Sequence, residues 1–226
     1  MKKIYIAILL LISLFGIISC NQNAEYVISE DWLASDITDN NYGVFYEIFL
    51  GAFSDSNKDG IGDFQGLTNR LDYLNDGDDS SGKSLGIDGI WLMPIMPSPS
   101  YHKYDVRDYK NIDPNYGTLE DFELFVDEAN ARGIQVIIDL VLNHTSDQHP
   151  WFKEAKTAAR NGDWSNKYLE YYTIVESSER DSNKTYYVLY DDLYYEGNFS
   201  SAMPELNMDN PDVLQEIVEI VEFWYD

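Results

Sequence analysis

The sequence predicts an α/β fold: the first three strand–helix units of a (β/α)8 barrel, with a subdomain inserted after the third strand. Three observations carry this expectation. After residue 41, apolar runs of strand length alternate with amphipathic segments of helix length, the signature of a parallel α/β architecture. The third run, QVIIDLV (Gln135 to Val141), is apolar at consecutive positions, as parallel strands covered on both faces are. A stretch rich in Tyr, Asp, Ser and Asn then extends from Asn143 to about Asp209, too long for an ordinary βα connection. A closed (β/α)8 barrel takes about 250 residues before insertions, so a chain of 226 residues with such an insertion corresponds to its first third to half, an incomplete barrel.

Each element has its own local reason. VFYEIFL (Val44 to Leu50) is β-branched and aromatic and reads as the first strand. Phe64, Leu67, Leu71 and Leu74 lie at helical spacing and predict one helix with a single apolar face. NDGDDSSGKS (Asn75 to Ser84) is a loop by its Gly, Asp and Ser content, and DGIWLMPI (Asp88 to Ile95) is the second strand. Thr118, with Asp121 three residues on, is a helix N-cap; Phe122, Phe125, Val126 and Ala129 then share a face before Gly133 stops the helix. A last helix starts at Asn210 and Pro211, and Val213, Leu214, Ile217, Val221 and Trp224 are expected on its buried face.

The N-terminus sets the compartment. Met1-Lys2-Lys3 precedes a mostly apolar run from Ile4 to Ser19 and then Cys20, the order of an export signal. The run is short for a membrane span, which needs about 20 residues. Cys20 is the only cysteine, so no disulfide can form within the chain. The expected organisation is a signal peptide over 1–19, a tether over 20–41, barrel units over 42–144, the inserted subdomain over 145–209, and a third barrel helix over 210–226, with Asp226 expected just before a fourth strand. The formal net charge of −25 argues against nucleic acid or an anionic membrane surface as partner, since the long-range field would repel both.

In a barrel of this kind, chemistry gathers at the C-terminal ends of the strands. Three loops there stand out. After the first strand, SDSNKDGIGDF places oxygens at Asp55, Asn57, Asp59 and Asp63, with the Ile61 carbonyl between, a set that suits a hard cation such as calcium; a solvated acidic turn would have the same spacing. It is no EF-hand, because the twelfth position is Gly66 rather than Glu and a strand, not a helix, precedes it. After the second strand, SPSYHKYDVRDY gathers Tyr101, His102, Tyr104 and Asp105, which could stack on and hydrogen-bond a sugar or could pack beneath a loop. After the third, DLVLNHTS presents Asp139, Asn143 and His144 at the rim, where a histidine is either a ligand contact or structural.

Together these motifs resemble the α-amylase family of glycoside hydrolases, family 13. DLVLNH resembles its first signature region, YHKYDV its YHGYDV segment, MPELN (Met203 to Asn207) the marker closing its inserted B domain, and DSNKDGIGD a calcium loop found in one branch. GIISC resembles a bacterial lipobox, which implies lipidation at Cys20 and anchoring of the exported protein to a membrane; an ordinary signal peptide or short anchor with an incidental cysteine is the alternative. The resemblance implies that Tyr104 stacks on the sugar at the bond to be cut, that His102 and His144 hydrogen-bond its hydroxyls, and that Asp105 holds that subsite in shape. It also implies that Asp139 supports the floor and that Asn143 orients the loop or binds a further calcium. Calcium would be held by Asp55, Asn57, Asp59, the Ile61 carbonyl and Asp63. Lys103 departs from the usual glycine of YHGY, and its charged side chain is expected to alter access beside the subsite.

The resemblance implies a retaining glycosidase acting on α-glucans, with starch-type α-1,4 chains favoured by the export signal and the B domain of roughly 60 residues. The Gly-x-Arg-x-Asp nucleophile signature of the fourth strand does not occur here, and Asp105 and Asp139 have other duties in the family pattern. No catalytic residue is therefore assigned within the chain. The nucleophile and the acid/base are expected downstream of Asp226, and residues 20–226 alone are expected to be inactive. Two alternatives stay beside this reading: a noncatalytic lipid-anchored glycan-binding protein, and an α-1,6-glucosidase-type member of the same family.

Overall fold

The computed structural model describes residues 43–225. The expected signal peptide, Cys20, the expected tether and Asp226 lie outside the described residues, and so does the expected boundary with a fourth strand at Asp226. Three strands, β1 (Phe45–Ile48), β2 (Gly89–Leu92) and β3 (Gln135–Ile138), form one parallel sheet in chain order. Glu47, Trp91 and Ile137 are in register across it. Each strand is shorter than the apolar run that contains it. Beyond β1 the chain tightens into a 3-10 turn at Leu50–Ala52, and beyond β2 Pro94 and Pro97 lack the N–H that a ladder needs.

The helix predicted over Phe64 to Leu74 is two short helices, α1 (Phe64–Thr68) and α2 (Leu71–Leu74). Asn69 closes α1 by donating its N–H to the carbonyls of Gln65 and Leu67, and Arg70 leaves helical geometry. The apolar face survives the break, since Phe64, Leu67, Leu71 and Leu74 are all buried. Helix α3 (Leu119–Asn130) begins at Thr118, whose hydroxyl accepts from the Asp121 N–H while the Asp121 carboxylate accepts from the Thr118 N–H, a reciprocal capping box. Its chain reverses through Gly133 at φ 74°.

The long segment after β3 folds around a second core. Helix α4 (Pro150–Asn161) packs with an antiparallel sheet of β4 (Ile174–Glu176), β5 (Tyr186–Tyr190) and β6 (Leu193–Glu196), ordered β4-β6-β5. Phe152, Tyr171, Tyr172 and Tyr195 dominate that core, so much of the tyrosine excess is structural. The chain returns to the barrel units through MPELN, where isolated bridges join Glu205 to His144 and Leu206 to Tyr172. Among the described residues no helix is long and apolar enough to cross a membrane.

Two expectations need correction. In helix α5 (Pro211–Tyr225) the inward residues are Val213, Ile217, Ile220 and Trp224, spaced by four, three and four, whereas Leu214 and Val221 are exposed. Those two lie seven apart on the neighbouring stripe, about 100° round the helix. Val213 enters the second core and Ile220 the first, so α5 fastens the two together. The third strand, expected to be covered on both faces, is covered on one: Ile137 is 46% exposed and its neighbour Trp91 is 45% exposed. On the face that a closed barrel would enclose, the Phe45 ring covers Gly89, while Trp91 and Ile137 remain exposed.

Candidate functional site

The site assembles at the C-terminal ends of the parallel strands, from the loops that follow β2 and β3. Tyr104 lies across the rim, half-buried, and its hydroxyl donates to Asp139 Oδ2 at 2.8 Å. Burial, then this hydrogen bond and the charge of Asp139, push its phenol up to about 12, so the ring stays neutral. His144 is buried beneath it, and its Nε2 lies 3.0 Å from the Tyr104 carbonyl. A carbonyl only accepts, so Nε2 carries the proton and Nδ1, 3.4 Å from Asn143 Nδ2, is the acceptor. Burial first of all lowers the pKa of this imidazole, against the smaller raising effects of the carbonyl and of Glu205 and Asp105.

Asp105 is buried and accepts from Ser98 Oγ at 2.6 Å and from Ser100 Oγ. His102 is exposed; its Nδ1 accepts from the Tyr104 N–H at 3.1 Å, which leaves Nε2 toward solvent. The loop is clamped at its far end, where the Arg107 N–H donates to the Pro97 carbonyl and the Ser146 N–H to the Val106 carbonyl. The structure thus brings Tyr104, Asp139, Asn143 and His144 together, with Asp105 supporting the loop from below and His102 at its edge. The catalytic carboxylates expected downstream of Asp226 lie outside the described residues.

Two further aromatic rings lie at this rim: Tyr101, which the sequence already offered as a stacking candidate, and Phe199, which has no signal in spacing or periodicity. Phe199 stacks on His144 with centroids 5.2 Å apart while remaining exposed. It arrives there because MPELN docks on the segment after β3 that carries His144: the Thr145 N–H donates to the Pro204 carbonyl and the Leu206 N–H to the Asn143 carbonyl. Tyr101 is exposed and packs on Phe49, 4.8 Å away. His149, like Phe199 unnoticed in the sequence, is the buried N-cap of α4 and packs against Tyr109 and Trp151.

Lys103 differs from expectation. It sits at φ 67°, the left-handed region that favours glycine, and its side chain is buried on Asp113 rather than beside the sugar subsite.

The carboxylate loop is wound by its own side chains. Asp55 accepts from the N–H groups of Asn57, Lys58 and Gly60, which hold its carboxyl below the usual range, Gly60 contributing most. Asn57 Oδ1 accepts from Asp59 N–H and Asp59 Oδ1 from Ile61 N–H, each at 2.8 Å. Asp63 caps α1 through Gly66 N–H at 2.6 Å and accepts from both the N–H and hydroxyl of Ser56. The donor set is all oxygen, which fits a hard cation: Asp55 Oδ2 and Asp59 Oδ1 each accept one N–H and keep a lone pair, whereas Asp55 Oδ1 and Asp63 Oδ2 each accept two hydrogens. Among the described residues, no three His, Cys, Asp or Glu side chains converge as a metal cluster.

Residues 47–226 match the family described as Alpha amylase, catalytic domain. The chain is 44% identical over 184 residues to Alpha-amylase 3 of Dictyoglomus thermophilum, a match covering 81% of this chain and 34% of that protein. It is 38% identical over 194 residues to the oligo-1,6-glucosidase of Parageobacillus thermoglucosidasius, covering 81% and 32%. Among solved structures, Eubacterium rectale Amy13B superposes with a TM-score of 0.72 at 45% identity, over 82% of this chain and 35% of that one. The chain therefore spans about a third of the length of these relatives.

Proposed function

The chain belongs to the α-amylase catalytic-domain family, glycoside hydrolase family 13, and from that premise we propose that the complete protein hydrolyses α-1,4-linked glucans with retention of configuration. The observation that carries this is the cluster of Tyr104, Asp139 and His144 at the strand exits: an aromatic ring held by its hydroxyl on a carboxylate, over a histidine with a fixed tautomer. Such a ring offers a flat apolar surface to a sugar face, and the groups around it offer donors and acceptors to the hydroxyls.

The residues present bind and orient; they do not cut. Asp139 holds the Tyr104 hydroxyl, and buried Asp105 accepts from two serines at Oδ1, so both carboxylates hold the loop rather than stand ready as a nucleophile. A retaining glycosidase needs two carboxyl groups about 5 Å apart, and in this proposal both come from parts of the barrel that follow Asp226. Calcium would be held by Asp55, Asn57, Asp59, the Ile61 carbonyl and Asp63, where it would neutralise mutual repulsion and stiffen the first βα connection. Cys20 would carry the lipid that anchors the exported protein.

The test is hydrolysis by the complete protein, comparing maltodextrin with isomaltose and following the released anomer by NMR. Retained α-anomer from maltodextrin supports the reading. Isomaltose as the sole substrate would replace it by α-1,6 specificity, a choice that the likeness to an oligo-1,6-glucosidase makes worth including. Binding of maltodextrin without hydrolysis would favour a glycan-binding protein.

A further inference from the structure

We propose that Lys103 is a positioning residue of the sugar site: paired with Asp113, it fixes the loop that presents His102, Tyr104 and Asp105. What that loop presents to substrate rests on the α-glucan reading above; how it is held rests on geometry alone.

A non-glycine residue at φ 67° gives up conformational free energy that glycine would keep. The gain that offsets this is visible. Lys103 Nζ lies 2.7 Å from Asp113 Oδ2, with the two side chains 9% and 2% exposed. A buried ion pair is sustained only when the remaining polar atoms are also satisfied, and those of Asp113 are. Its Oδ2 accepts from the Ser98 N–H at 3.3 Å and its Oδ1 from the Asn115 N–H at 3.0 Å. The Tyr116 ring lies 5.4 Å from the ammonium, so an aromatic face also meets the cation.

The pair closes a circuit around the site loop. Ser98, held by Asp113 at its N–H, donates its hydroxyl to Asp105. Asp113 is itself anchored through its N–H to the Ile95 carbonyl, just beyond β2. Lys103 sits between His102 and Tyr104, so the anchor point falls in the middle of the ligand-facing run. With the ammonium removed, Asp113 keeps its two N–H donors but has a buried charge without a counter-charge, and the loop loses its only ion pair among the described residues.

The experiment compares Lys103→Met, Asp113→Asn and the double variant in the complete protein, below every variant's melting temperature. It reads kcat/KM on maltodextrin, Tm, and amide hydrogen exchange of residues 98–105 against helix α3. Lys103→Met is expected to lower kcat/KM by about 10- to 100-fold, the scale of a sub-ångström to ångström misplacement, and to speed exchange in 98–105 but not in α3. The double variant, which buries no unpaired charge, is expected to recover Tm while kcat/KM stays low. Recovery of kcat/KM along with Tm would overturn the proposal, leaving the pair a stabilising contact, as would a Lys103→Met enzyme within twofold of wild type. If Lys103→Met does not fold, the double variant carries the same comparison. If the wild type does not turn over maltodextrin, the substrate reading fails and exchange decides: faster exchange in 98–105 of the double variant supports positioning, and unchanged exchange overturns it.

Discussion

Tyr104 and His144 act as a unit, because the ring that would meet the sugar is fixed at its hydroxyl by Asp139 and at its backbone by the histidine. Replacing either with alanine in the complete enzyme should lower kcat/KM by about 10- to 100-fold, the kinetic equivalent of roughly 1–3 kcal/mol for a lost stacking surface or hydrogen bond. Tyr104→Phe keeps the ring and should cost less than Tyr104→Ala, and steady-state kinetics separate the two contributions. His149 has a different role. Burial, and to a lesser extent Lys153, depress its pKa from 6.5 to about 4, so the folded protein prefers the neutral ring. Its contribution to stability is complete above about pH 6.5 and is lost as pH falls toward 4, about 3 kcal/mol in all for a shift of this size. His149→Asn keeps an N-cap side chain, and chemical denaturation across that window should show a flatter pH dependence than wild type.

At the scale of elements, the carboxylate loop and α5 give separable tests. Asp59→Ala removes an oxygen from the cation set without touching the α1 cap, so it should abolish a calcium-dependent rise in Tm, whereas Asp63→Ala should lower Tm with or without calcium by removing the cap, worth about 1 kcal/mol. Differential scanning calorimetry with calcium and with chelator reads both, and an Asp59→Ala response equal to wild type would remove calcium from this loop. In α5, Ile220→Ala should cost about 2–4 kcal/mol and Val221→Ala under about 1, since only the first opens a hole in a packed core. The periodicity of α5 showed that an apolar face exists but offered two adjacent stripes, and propensity alone cannot choose between them. The capping signals at Thr118 and the four buried residues from Phe64 to Leu74 were legible because they depend only on near neighbours along the chain. The break at Asn69–Arg70 was not legible, because either a straight or a broken helix buries the same side chains.

At the scale of the molecule, the open sheet face and the exposed stripe of α5 carry the largest prediction. With Trp91 and Ile137 uncovered, residues 20–226 alone should be poorly soluble and should not hydrolyse maltodextrin, whereas the complete barrel should do so. Expressing both side by side checks this, and turnover by the shorter chain would overturn the assignment of both catalytic carboxylates to the barrel beyond Asp226. Membrane fractionation and lipid labelling of Cys20→Ser test the anchor, with loss of both expected. The strand–helix order, the helix caps, the insertion and the family were determined by sequence alone, since periodicity, capping and short signature motifs are written in neighbouring residues. Only the tertiary structure decided that Phe199 meets His144, that Lys103 turns inward to Asp113, and which stripe of α5 is buried. Those outcomes depend on contacts between residues 10 to 55 positions apart, or on which core a helix meets, and no local pattern encodes which distant partner will be present when a side chain leaves water.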